Sequence, residues 1–243
     1  MDKDHLVVLV MLLCMYFGTV AACGNRKKCN PADKKPCRDC FFCKKNKKEK
    51  HVCFKVREQT VVTIDDLKAI IRNFESYTLT MTDVNPKPKV FDPTIGYGFS
   101  LKRGDAKATF NKVLPGVNFD KVLSGKKAIT WEQAKKLFHH DIDNIYIPRA
   151  ERKIGKKLFG GLTMNVKTAI VNAFYRGDIG PKTIALIKQE KWAEAAVEYL
   201  NHNGYKNAKK NGMSGIIPRM KCNAEQFKKV NKPPPPKKKC KEE

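Results

Sequence analysis

Acid is what this chain has least of: 24 Asp and Glu stand against 49 Lys and Arg, leaving a net charge of +25 over 243 residues. A surface this basic draws polyanions and speeds encounter with them. Nucleic acid, anionic lipid and the bacterial cell wall all qualify, and charge alone does not choose among them. Other absences narrow the field. No dinucleotide-type or P-loop glycine pattern is present, so no nucleotide cofactor is expected. Aromatics are not interleaved with the basic runs as a stacking surface for bases would need, which places nucleic acid last among the partners. No internal repeat is present. The apolar run Leu6–Phe17 is twelve residues, short of the roughly 20 that cross a bilayer, so stable membrane insertion is not expected.

That apolar run is followed by Gly18-Thr19-Val20-Ala21-Ala22, the form of a signal peptide over residues 1–22 with a small-residue cleavage site. The start of the chain fits less well, because Asp2 and Asp4 outweigh Lys3. A second reading takes Val20-Ala21-Ala22-Cys23 as a lipobox that would acylate Cys23. Cysteine arithmetic favours simple export. Without Cys14, eight cysteines remain: Cys23, Cys29, Cys37, Cys40, Cys43, Cys53, Cys222 and Cys240. An even set in an exported chain implies disulfides. Eight cysteines allow on the order of a hundred pairings, and nothing in the sequence selects one.

The chain divides by composition. Residues 23–53 hold six cysteines, with eleven Lys/Arg against three Asp/Glu. So few apolar residues cannot make a core, and disulfides are expected to hold this module instead. Cys37-x2-Cys40-x2-Cys43 would suit zinc in a reducing compartment, but export favours disulfides. Residues 60–228 predict one mostly helical domain. From about residue 229 to 243 the tail is rich in Lys and Pro, extended and solvated, with Cys240 tying it back through a disulfide.

Within the large domain, Leu67, Ile70, Ile71 and Phe74 recur at helical spacing after Thr63-Ile64-Asp65-Asp66, a helix start. Thr130-Trp131-Glu132-Gln133 has the form of a capping box. It opens a helix with Trp131, Ala134, Phe138, Ile142 and Ile145 on one face. Val166, Ile170 and Phe174 mark another helix, ended by Gly177, and Trp192, Ala196, Tyr199 and Leu200 one more. Ile95, Tyr97, Phe99 and Leu101 alternate with Gly96, Gly98 and Ser100, which predicts a strand. A twisted hairpin with a tight turn is the alternative. All these stripes are read as core.

Three kinds of residue could carry chemistry. Glu75 follows the apolar stripe of its helix, where partial burial would raise the pKa of a carboxyl as a general acid requires. A solvated Glu at a helix end fits the same pattern. Thr94 shares a strand face with Gly96 and Gly98, so its hydroxyl would lie on a floor cleared of side chains, where a sugar or water could approach. Asp83 and Asp92 are each near enough in sequence to serve as the second carboxylate of a glycosidase, and each also suits a turn. In His139-His140-Asp141-x-Asp143 the side chains do not share one helix face, so no metal site is expected.

Glu75, then Asp83, then Thr94-Ile95-Gly96-Tyr97-Gly98 resembles the Glu…Asp…Thr-Ile-Gly-x-Gly region of phage-type lysozymes. Further matches come in order along the chain. Ile129-Thr130-Trp131-Glu132-Gln133-Ala134 with Leu137-Phe138 and Asp141 resembles that family's "ITxxEAxxLFxxD" helix. Residues Ala169 to Gly177 are similar to its buried "ALxNxxFQxG" helix, and Lys191 to Ala196 to its "WxxAA" helix. Ile216-Ile217-Pro218-Arg219-Met220 resembles its late Arg-bearing segment. The matches span about residues 64–228, and the tyrosine in the glycine strand and Arg176-Gly177-Asp178 look closer to animal members.

The resemblance implies an α+β, mostly α-helical, lysozyme-like fold with a small β-hairpin lobe, beside the short disulfide-rich N-terminal module. It implies a secreted, monomeric hydrolase of β-1,4 bonds in bacterial peptidoglycan that works with inversion and needs no cofactor or metal. Glu75 would be the acid, with Asp83 and Thr94 holding the attacking water. Gly96, Gly98 and Tyr175 would line the substrate path, although Tyr175 suits core packing equally. Three departures stand out. Ser76 replaces the glycine usual after the acid, and Phe99 a histidine common after the second glycine. Nineteen residues separate Glu75 from Thr94, a few more than in phage members, with the extra length at Asn85-Pro86-Lys87-Pro88-Lys89. Asp92 therefore remains the rival of Asp83. A competing expectation is non-enzymatic: the cationic head and tail bind anionic bacterial surfaces, and the large domain is a scaffold.

Overall fold

The computed structural model describes residues 41–45, 51–55, 63–84 and 91–230. The expected signal peptide, most of the Cys-rich module and nearly all of the Lys/Pro tail lie outside the described residues. So do Cys23, Cys29, Cys37, Cys40 and Cys240. Two short strands, β1 (Phe41–Lys45) and β2 (His51–Lys55), pair antiparallel with Cys43 opposite Cys53. β1 lies beside the first helix of the large domain.

That helix, α1 (Ile64–Phe74), starts as its sequence predicts. The Asp66 N–H donates to Thr63 Oγ1 at 3.1 Å, and the Thr63 N–H donates back to Asp66 Oδ2 at 3.3 Å. The capping box thus satisfies two amides that the helix leaves without partners. Leu67, Ile70 and Ile71 are buried, while Phe74 is only half-buried.

The chain then enters a three-stranded antiparallel sheet, β3 (Thr78–Asp83), β4 (Pro93–Gly96) and β5 (Phe99–Ser100), in that order. The continuous strand read from the alternation around Tyr97 is corrected here. Gly96 and Gly98 adopt φ of +63° and +107°, a region that side-chain-bearing residues avoid. The chain therefore reverses at Tyr97–Gly98, and Ile95 faces Phe99 across a hairpin.

Helices build the remainder: α2 (Ala106–Val113), α3 (Phe119–Leu123), α4 (Trp131–Asp141), α5 (Ile147–Ile154), α6 (Lys156–Gly161) and α7 (Met164–Arg176). After these come α8 (Pro181–Lys188), α9 (Trp192–Leu200), α10 (Asn203–Lys206) and α11 (Ile216–Phe227). Helix α4 opens on the expected capping box of Thr130 and Gln133. Its apolar stripe does not run straight, because a π-helical turn at Ile142–Tyr146 joins α4 to α5. The wider turn carries one extra residue and rotates the faces of α5 relative to those of α4. Leu137 is fully buried, and Ile145 only half. Helix α7 ends at Gly177, φ +68°, as expected of a left-handed C-cap. Its Val166, Ile170 and Phe174 are buried, as are Trp192, Ala196 and Tyr199 of α9. Helices α1, α5 and α11 all bring residues to the core that surrounds α7.

Candidate active site

Helix α1 delivers Glu75 to the interior. The residue caps the helix in extended conformation, its N–H donating to the Arg72 carbonyl at 3.1 Å. Only 7% of Glu75 is exposed. One carboxylate oxygen, Oε2, accepts from Arg176 Nη1 at 3.0 Å. The other, Oε1, lies 3.9 Å from Arg219 Nη1 and is buried without a hydrogen-bond partner. Burial pushes this carboxyl up to about 7. Arg176 and then Arg219 pull the other way, Asp178 adds to the rise, and desolvation outweighs the two guanidiniums. The solvated alternative for Glu75 does not hold.

A buried polar chain sets Arg219 in place. Its Nη2 donates to Asp178 Oδ2 at 2.7 Å, and the Tyr199 hydroxyl donates to Asp178 Oδ1 at 2.7 Å. Asn223 Nδ2 donates to the Tyr199 oxygen at 3.0 Å, and Asn172 Nδ2 to Asn223 Oδ1 at 3.1 Å. Each of these five side chains is buried. Charges out of water require this degree of pairing. Helices α7, α9 and α11 are joined through the chain, and it ends on Glu75.

The other sequence candidates lie along the sheet. Thr78, three residues after Glu75, pairs with Gly96, and Thr82 pairs with Thr94. Four residues of β3 thus oppose two of β4, so β3 bulges between Thr78 and Thr82. The ladder advances only about 7 Å across that interval, which brings the Thr94 end nearer Glu75 than residue count suggests. Asp83 sits opposite Pro93, and its Oδ1 accepts the Asp92 N–H at 3.0 Å. Thr94 Oγ1 lies 3.4 Å from the Asp92 carbonyl oxygen. Asp83, Asp92 and Thr94 therefore gather at one end of the β3–β4 pair, with Asp83 exposed and the other two half-buried. Glu75 precedes the other end.

Both glycines of the expected floor are accounted for by protein as well as by backbone angle. A Cβ on Gly96 would meet Ala134 of α4 at 3.4 Å, and one on Gly98 would meet the Tyr175 hydroxyl at 3.3 Å. Tyr175 donates its hydroxyl to the Tyr97 carbonyl and packs edge-on against Tyr146 and Phe138. Its observed contacts are those of a prop under the turn, the core-packing alternative. Trp131 Nε1 donates to the Tyr97 hydroxyl at 2.9 Å, which holds the same turn from α4.

Sequence reasoning missed Arg176, Arg219, Asp178 and Tyr199 as parts of one network. The family-like segments contain three of them, Arg176, Asp178 and Arg219, and Tyr199 reads only as core. In the His-Asp run, Asp141 is held by Arg103 in two hydrogen bonds of 2.6 and 2.9 Å, and Asp143 by Lys68 at 2.7 Å. Among the described residues no group of His, Cys, Asp or Glu is arranged to hold a metal ion. No helix among them is long and apolar enough to cross a membrane. Cys222 is buried on α11. No family model matches the chain, and a search of curated proteins returns no match.

Proposed function

We propose that this chain is a secreted muramidase of the phage-type lysozyme class, a hydrolase of the β-1,4 glycosidic bonds of bacterial peptidoglycan. The observation that carries the reading is Glu75: a buried carboxyl, raised to about 7, at the helix end from which the chain enters the hairpin sheet. A general acid must be protonated near working pH and still able to ionise, and this environment meets both conditions.

Glu75 donates its proton to the glycosidic oxygen as the bond to C1 breaks. A water held by Asp83 and Thr94 attacks C1 from the opposite face, and Asp83 takes the proton that water releases. The sugar leaves with inverted configuration, and the next cycle begins once Glu75 regains a proton. Arg219, fixed by Asp178, stabilises the Glu75 carboxylate left after transfer. Arg176 is partly exposed, at 40% of its side chain, and can leave Glu75 when a substrate arrives. The excess of basic residues favours encounter with anionic walls.

The test is mass analysis of products from purified peptidoglycan. Reducing-end muropeptides from the parent, and none from Glu75→Gln, are expected. A second reading rests on the net charge of +25: killing by cationic binding to bacterial surfaces. Killing that survives Glu75→Gln and disappears in modest salt would favour it.

A further inference from the structure

Helix α1 turns a second face toward α4, separate from the one that ends in Glu75. On it Lys68 and Arg72 lie one turn apart, and opposite them stand Asp143 and His139, also one turn apart. The first rung is compensated: Lys68 Nζ meets Asp143 Oδ2 at 2.7 Å and Asp65 at 3.9 Å. In the second rung, a histidine occupies the place where a carboxylate would balance the charge. Arg72 Nη1 lies 3.5 Å from His139 Nε2. Arg72 is only 8% exposed, and no carboxylate among the described residues comes within ion-pair distance of it.

A buried guanidinium with no carboxylate in contact among the described residues is costly, and Glu132 and Asp65 offset that cost only from longer range. The surroundings add positive charge. Lys135 Nζ and Arg72 Cζ both lie over the Trp131 ring, at 5.0 and 5.9 Å from its centre. His139 feels burial together with Lys68, Arg72 and Lys135, against Asp65, and its pKa falls to about 4. It is therefore neutral at physiological pH. With Nε2 turned to the Arg72 N–H, the ring proton belongs on Nδ1, which leaves His139 a donor. A groove of ≈530 Å³ opens here, lined by Val113, Glu132, Lys135, Lys136, His139 and His140. Glu132 is the acid in that lining, and it is engaged at 3.5 Å by Lys135.

We infer that this groove binds a phosphate group, held by Lys135, Lys136 and His139, with Arg72 as the fixed positive charge behind them. Two lysines and a histidine line one groove, with a buried guanidinium 3.5 Å from the histidine, and this excess of positive charge suits the several oxygens and higher charge of phosphate better than a single carboxylate. Free phosphate and a phosphate ester present the same group, and both would enter an open groove. The site does not depend on the glycosidase reading.

The test is proton NMR of the histidine ring signals in the full-length protein, titrated with inorganic phosphate and separately with glycerol phosphate, chloride holding ionic strength constant. His139 is expected to shift saturably and its protonation midpoint to rise by about one unit, as an anion nearby favours the imidazolium. His202, exposed at the start of α10, serves as the control and should not follow. Saturation by both compounds means that the free ion suffices, and saturation by glycerol phosphate alone means that an ester is required. Lys135→Gln should weaken binding about fivefold, and Glu132→Gln should tighten it about as much, the scale of one partly exposed charge pair. Parallel, unsaturating shifts of His139 and His202 with both compounds, or unchanged binding in both variants, would overturn the site.

Discussion

The two ends of β3 hold carboxylates in opposite surroundings. Before the strand, Glu75 is buried against two arginines and pushed up to about 7. At its far end Asp83 is exposed and tied to a backbone amide. Similar side chains a few residues apart are thus given different chemistry by solvent. Desolvation raises the Glu75 carboxyl, while Asp83 stays in contact with water and an amide donor. The residues between them belong to a bulged strand, so the sheet sets their separation and the helices set their contrast.

The sharpest way to break this contrast is to remove the proton donor. Glu75→Gln should lower the rate of peptidoglycan clearance about a thousandfold, within the range for losing a general acid, with circular dichroism unchanged. Clearance at the parental rate would remove Glu75 from the chemistry. At the exposed end, Asp83→Asn should cost about a hundredfold in rate and Asp92→Asn only a few-fold. The reverse order would transfer the base to Asp92.

Stability gives a third measurement. Arg219→Leu removes the guanidinium paired with buried Asp178 and leaves Glu75 with Arg176 alone, and denaturant unfolding should show a loss of about 3 kcal/mol. A fourth comes from linkage. The folded Glu75 carboxyl binds its proton more tightly than the unfolded one, so the folded state holds more protons between about 4.5 and 7. Stability relative to Glu75→Gln should accordingly be intact below pH 4.5 and fall as pH rises, by up to about 3 kcal/mol above pH 7. A flat difference would mean that the carboxyl is solvated. The smallest effect is expected from Arg176→Gln. Arg176 is the strongest influence holding the Glu75 pKa down, so its removal should move the alkaline limb of the activity profile upward. A downward shift would contradict the ion pair.

Much of the helical framework was legible. Thr63 with Asp66, and Thr130 with Gln133, are local signals, because a capping box depends on residues three apart. Gly177 ends α7 for an equally local reason, its left-handed backbone. Short helices such as α3 and α6 carry too few residues to show a stripe, and packing defines them instead. The glycine strand misled because alternation records which residues are buried and is silent on where the chain turns. Ile95, Tyr97 and Phe99 are all buried, yet they lie on two strands and the turn between them.

Sequence by itself determined the charge, the capped starts of α1 and α4, the stop of α7, and the presence of a carboxyl at the end of an apolar helix. It determined these because each depends on composition or on neighbours a few positions apart. Only the tertiary structure decided that Glu75 is desolvated, since its burial and its two arginines come from α7 and α11, about a hundred residues or more along the chain. The same holds for Arg72 facing His139 across two helices. Solvent exclusion and charge pairing are properties of distant segments brought together, and no local pattern encodes them.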